Sequence, residues 1–117
     1  MAFKFKNLKV WQKALDLTGN VDKLTKTFPK DELFVLTSQI KRATDSIALN
    51  IAEGSTGETD LEFKKFIGYA IRSGIEVIGC LYIAKKRELI NEDHFENLYS
   101  EVETLIIMLQ SLRKKIA

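Results

Sequence analysis

The residues best suited to chemistry are polar side chains set inside otherwise apolar helical stretches. "SIALNIAEG", Ser46 to Gly54, places Asn50 and Glu53 among Ile47, Leu49 and Ile51. Ser46, Asn50 and Glu53 follow one another at steps of four and three, which puts them on one helix face, with Arg42 a turn earlier. Arg72, Ser73 and Glu76 form a similar group in a later helical stretch. A polar group taken from water costs about 1–3 kcal/mol unless it is hydrogen-bonded. Side chains paired there would fix helix register rather than add net stability. Three uses stay open: a register device between helices or subunits, a solvated helix end with Asn50 capping the turn at Gly54, or a polar ligand pocket.

Catalytic constellations are sparse. A carboxylate-bridged metal bundle needs inward-facing Glu-x-x-His pairs, but the only histidine, His94, has Asn91 three residues before it. No nucleophile elbow or Gly-rich phosphate loop occurs. The lone Cys80, within "IGCLYIA", reads as a small buried hydrophobe rather than a reactive thiol and has no disulfide partner in the chain. The expectation is a protein that is not an enzyme, with no metal and no cofactor.

Cations are the second group. Lys85, Lys86 and Arg87, then Arg113, Lys114 and Lys115, end helical stretches, where the dipole favours positive charge. Lys4, Lys6, Lys9 and Lys13 instead gather where a first helix begins and the dipole disfavours them, with no acidic residue before Asp16. Phe3, Phe5 and Trp11 lie among them, a mixture suited to phosphate contact and base stacking. The other reading is an arm of Phe3, Phe5 and Leu8 packed on a neighbouring subunit, with merely solvated lysines. Net charge is only +2, small for a monomeric nucleic-acid binder.

Four helical segments must position these groups. Trp11, Ala14, Leu17, Val21, Leu24 and Phe28 recur at steps of three and four and predict a helix over about 8–28. Pro29 ends it and opens a second helix, about 30–54, whose seam runs Leu33, Leu36, Ile40, Ala43, Ile47, Asn50 and Gly54. "GSTGETD" makes a turn, and Thr59 with Glu62 forms a capping box for a third helix, about 60–87. Asn91 caps a fourth, about 91–116, with the seam Phe95, Leu98, Val102, Leu105, Leu109, Leu112 and Ile116. Short connections force neighbouring helices antiparallel, so the fold class is all-α, an up-down-up-down four-helix bundle forming one domain over 1–117. This topology brings Lys4, Lys6, Lys9 and Lys13 beside Arg113, Lys114 and Lys115.

The third helix is apolar on two faces. Phe63, Phe66, Ala70, Val77, Leu81 and Ala84 form one stripe, and Ile67, Ile71, Ile75 and Ile78 a second. The second stripe would leave a patch larger than monomers usually expose, which predicts a homo-oligomer built on those four isoleucines. Apolar residues at 45% and charged residues at 29%, with one Pro and six Gly, describe a folded helical protein. No run is expected to reach the length of a membrane span, and "MAFKFKNLKVW" lacks a secretory stretch, so the expected location is cytoplasmic, without a membrane partner.

"FKNLKVWQKALDL", "LTKTFPKDELFVLTSQIKRAT", "SIALNIAEGS" and "FIGYAIRSGIEVIGCLYIA" together resemble the four-helix-bundle proteins encoded in intervening sequences of bacterial 23S ribosomal RNA genes. "VWQKA", "FPKDELFVLTSQI" and "NIAEG" are the most specific parts, and the likeness covers nearly the whole chain. That family includes the accessory protein of diversity-generating retroelements, a pentameric barrel that binds a reverse transcriptase and nucleic acid. The resemblance implies a homo-oligomeric ring, a pentamer, with a basic surface that takes RNA or DNA and no catalytic residue. It also matches Asn50, Glu53 and Gly54 to a signature at the end of helix two, and Ser73 and Glu76 to a pair in helix three. Arg72 departs from a position often given to Gly, and "SIALN" from the commoner "SIPSN". The alternative function is a protein-protein adaptor for a partner such as a reverse transcriptase, without nucleic-acid binding of its own.

Overall fold

The computed structural model describes residues 3–116, which form four α-helices: α1, Lys9–Thr25; α2, Ser38–Ser55; α3, Asp60–Lys86; and α4, Glu92–Lys115. The helices run up-down-up-down and antiparallel, each on its sequence neighbour, with α4 closing back on α1. The body measures 43 × 26 × 19 Å. Steps of three and four deliver Leu17 and Val21 from α1, Ile40, Ile47 and Ile51 from α2, Ile67 and Leu81 from α3, and Val102, Leu105 and Leu109 from α4 into one buried core.

Helix boundaries follow local chemistry. The first helix ends at Thr25, short of the expected Phe28, because proline disfavours an α conformation before it. The amides of Thr27 and Phe28 instead donate three residues back, to the carbonyls of Leu24 and Thr25 at 3.0 Å each, and Phe28 stays buried. Pro29 then opens a 3-10 turn, Lys30–Glu32, and a π-helical turn, Leu33–Thr37, that feeds into α2. The helix expected from residue 30 is therefore α-helical only from Ser38. The wider turn rotates the chain, so Leu33, an expected core residue, is half exposed while Leu36 is buried.

The Thr59 hydroxyl accepts the Glu62 amide at 3.1 Å, and the Asn91 side-chain oxygen accepts the His94 amide at 2.8 Å, so both later helices start on capped ends. Between α3 and α4, Glu88 takes a left-handed conformation at φ 59°. Around it the Leu89 amide donates to Ala84 at 2.9 Å and the Glu88 amide to Lys85 at 3.1 Å. That pair of bonds closes a helix end usually completed by glycine.

Two expectations about α3 are corrected. Ile67 and Ile71 are buried inside the chain's own core and cannot face another subunit, while Ile78 is half-buried and packed on that core. Only Ile75 of the four stands out, at 58% exposure. The reason is that α3 packs on both α2 and α4 and so buries two faces. Gly74 assists: a Cβ there would lie 2.9 Å from Cγ1 of Ile106, so its absence lets α4 settle closely. The same breadth makes α3, with 27 residues, long and apolar enough by length and composition to cross a membrane, contrary to the sequence expectation. Here Ile67, Ala70, Ile71, Gly74, Val77, Cys80, Leu81 and Ala84 of that helix are buried within the bundle.

Candidate functional site

The polar group on α2 and α3 divides in two. Asn50 donates through Nδ2 to the Ser46 carbonyl at 2.8 Å and to Ser46 Oγ at 2.9 Å, while the Ser73 hydroxyl donates to Ser46 Oγ at 3.0 Å. Ser46, Asn50 and Ser73 are half-buried, so this short chain ties α2 to α3 within one bundle. Glu53, Arg72 and Glu76 face outward, and none of the ion pairs among the described residues includes them. One turn beyond Asn50, a Cβ on Gly54 would meet Cβ of Phe66 at 2.5 Å, so Gly54 sets how closely the end of α2 meets the start of α3. Arg42 reaches only its own helix, with Nη2 3.4 Å from Ser38 Oγ.

Buried Cys80 has its thiol pushed up to about 11 by desolvation and by the nearby Glu76 charge, which suppresses the nucleophilic thiolate. His94 is exposed and borders a groove between α1 and α4 with Asn20, Lys23 and Glu101. Asn20 donates to both Glu101 carboxylate oxygens, at 3.0 and 3.1 Å, which occupies that acid. Among the described residues no three histidine, cysteine or acidic side chains gather as metal ligands would.

The cations collect at the opposite end from His94, where α1 and α3 start and α2 and α4 finish. Lys9 and Lys115 flank one groove, floored by Leu8, Val10, Met108 and Leu112. Arg113 reaches toward α3, so that a Cβ on Gly68 would lie 3.5 Å from its Nη1. Lys4 sits 5.9 Å above the Phe63 ring at the start of α3. Lys6 and Lys114 are exposed at the same end. Lys13 is set apart: it borders a separate groove with Asp16 and Glu101, whose carboxylates offset it.

Phe3 to Leu8, ahead of α1, fold back on their own bundle. Lys4–Asn7 form a 3-10 turn against α1 and α2, and Gln12 Nε2 donates to the Lys6 carbonyl at 2.9 Å. Phe3 stacks on Phe5 with centroids 5.8 Å apart, and Phe5 packs on Trp11 at 4.9 Å. Up-down topology also brings Lys64 and Lys65 to this end, beside an edge-to-face pair of Phe66 and Tyr69 at 5.6 Å. Sequence reasoning missed that pair of lysines, although "FKKF" opens α3 at the same end as the first lysines. Eight cations, Lys4, Lys6, Lys9, Lys64, Lys65, Arg113, Lys114 and Lys115, thus meet four carboxylates, Glu53, Glu58, Asp60 and Glu62.

The profile of the 23S rRNA-intervening sequence protein family matches residues 6–111 of this sequence. The chain belongs to this family. Its bundle is also similar to a solved structure from Bacteroides thetaiotaomicron, a protein with unknown function from the S23 ribosomal protein family. The two share 23% identity with a TM-score of 0.84, over 91% of this chain and 99% of the other. Among curated proteins, none matches the chain. In this member of the 23S rRNA-intervening sequence family, the matched span takes in all of α1, α2 and α3 and most of α4, and hence the Ser46–Asn50–Ser73 tie and the Gly54 contact.

Proposed function

We propose that this chain is a non-catalytic, homo-oligomeric helical scaffold of the cytoplasm that holds RNA or DNA on the basic end of its bundle. The observation that carries the reading is the convergence there of eight cations with two groups of aromatic rings. Cations neutralise phosphates and release counterions, while rings offer faces to bases. A single copy presents a modest site. Several copies around a ring, a pentamer as the family resemblance implies, would multiply phosphate contacts without altering the site.

Assembly has its own support. Ile75 and Ile107 are each 58% exposed, and Ile107 borders an apolar groove with Ile78, Tyr99 and Ile106. Such a surface is suited to contact with another copy. The test combines light scattering with fluorescence anisotropy of labelled RNA and DNA across a salt series. A multimeric mass with binding that weakens steeply in salt supports the scaffold; no binding at low salt rejects it.

A protein adaptor is the second reading, and one observation favours it. Leu33, Phe34 and Val35 all protrude from the π-helical turn at the other end of the bundle, with Phe34 88% exposed. A partner such as a reverse transcriptase docking there would lose affinity with Phe34→Ser, whereas nucleic-acid binding by the scaffold would not change.

A further inference from the structure

The basic end carries two kinds of group that ask different things of a nucleic acid. Lysines and arginine need only phosphates, which duplexes and single strands both supply. Aromatic faces need open base faces, and a duplex keeps its base faces stacked inside. We infer that the nucleic acid taken at this end is single-stranded, with a base stacking on Phe3 and phosphates running over Lys4, Lys6 and Lys9. The inference rests on the nucleic-acid reading above and narrows it.

The arrangement of the rings supports this choice. Phe3, Phe5 and Trp11 form a ladder in which the outer two rings stack, their planes 27° apart, while Trp11 is tilted by 60° against Phe5. The inner members are half-buried, whereas the outermost, Phe3, is 48% exposed. A base added on Phe3 would extend a stack that already exists, without first ordering a loose side chain. Lys4 and Lys6 are exposed and flank Phe5 in sequence, in the short turn that holds the ladder. Next to Lys4 is Phe63, and beyond it an open cup of about 850 Å³ bordered by Leu61, Lys64, Lys65, Phe66 and Tyr69.

Glu62 also borders that cup and would repel a phosphate, so the backbone should keep to the Lys4, Lys6 and Lys9 side while bases turn toward the rings. Duplex reading usually inserts a helix or a β-ribbon into a groove. This end offers instead a four-residue 3-10 turn and ring faces. Stacking and phosphate contact are common to RNA and DNA, so the inference concerns strandedness and leaves the sugar to experiment.

Trp11 is the only tryptophan in the chain and belongs to the ladder, which makes it an internal reporter. The full chain would be titrated with oligo(dT), oligo(rU) and a mixed-sequence duplex of equal length, following label anisotropy and Trp11 emission. Single strands should bind at least about tenfold more tightly than the duplex and change Trp11 emission at saturation, whichever sugar binds better. Phe3→Ala should weaken single-strand binding by roughly 5- to 150-fold, the range of one base–aromatic stack. Phe3→Tyr should restore it, and duplex binding should be unchanged in both. The helical signal and melting temperature of Phe3→Ala confirm an intact bundle. Equal or tighter duplex binding, an unchanged Trp11 signal with single strand bound, or an unaffected Phe3→Ala variant overturns this inference but spares nucleic-acid binding. No binding to any of the three probes at low salt overturns both.

Discussion

Replacing Gly54 by alanine should destabilise the bundle even though alanine is the better helix former. The added Cβ would sit 2.5 Å from Cβ of Phe66 and 3.3 Å from Cδ1 of Phe63. Carbon atoms rest about 3.5–4.0 Å apart, and the Phe66 Cβ is fixed to the backbone, so α2 and α3 must separate. Overpacking of this kind costs about 1–3 kcal/mol, while exchanging glycine for alanine inside a helix returns about 0.8–1 kcal/mol. With a rigid neighbour the upper part of the first range applies, leaving a net loss of about 1–2 kcal/mol. Gly19 and Gly79 serve as controls, because a Cβ at either meets nothing within 4 Å. Gly19→Ala and Gly79→Ala should each gain roughly 0.5–1 kcal/mol. Urea unfolding at one fixed protein concentration gives all three values, with that concentration held constant because assembly would shift apparent stability. A Gly54→Ala variant as stable as Gly19→Ala would refute the close approach of α2 and α3.

The Ser46 tie should behave as a coupled unit: Asn50→Ala and Ser73→Ala should each cost about 0.5–1.5 kcal/mol, with a double-mutant cycle against Ser46→Ala showing non-additivity in the same unfolding assay. Glu88→Gly should raise stability by about 1 kcal/mol, since glycine takes the left-handed conformation at φ 59° without steric cost. The Lys26 ammonium, and then that of Lys41, holds the Asp22 carboxyl below its ordinary value of 3.8, with pairs at 3.1 and 3.2 Å. A lowered folded value means this contribution is present above the unfolded pKa and disappears as pH falls through the folded one. Asp22→Asn should therefore flatten the acid limb of a stability-against-pH curve below about pH 4.

Some of the fold was legible because one periodicity served one neighbour. Phe95, Leu98, Val102, Leu105 and Leu109 of α4 form a single seam between clear caps, and all five are buried. In α3 the same rule misled, because a helix flanked by α2 and α4 buries two stripes, and a second apolar face is not by itself a free one. Residues 30–37 could not be resolved by period either: 3-10, α and π turns differ by small changes in residues per turn, and "KDELFVLT" fits any of them. At the polar group, the step of four put Asn50 on Ser46 and the packing of α3 on α2 brought Ser73 to them, yet Glu53, Arg72 and Glu76 lie outward. One residue along a helix is about 100° of rotation, enough to exchange a buried position for a solvated one. At the basic end, topology accounted for Lys9 beside Lys115, while Glu101 near Lys13 depended on packing between α1 and α4; the cup beside Lys64 and Lys65 is lined by the first turns of α3 alone.

In the proposed scaffold the basic end, rather than net charge, holds nucleic acid. Anisotropy with oligo(rU) across a salt series, comparing the native chain with Lys9→Glu/Lys115→Glu, tests it most directly. Both lysines border one exposed groove, so the double variant should keep its helical signal and assembled mass. Its binding should be weaker and its salt slope reduced by about 0.7 for each phosphate that is no longer neutralised. An unchanged slope and affinity, or an equal weakening with Lys23→Glu/Lys26→Glu at the other end of the bundle, would contradict it.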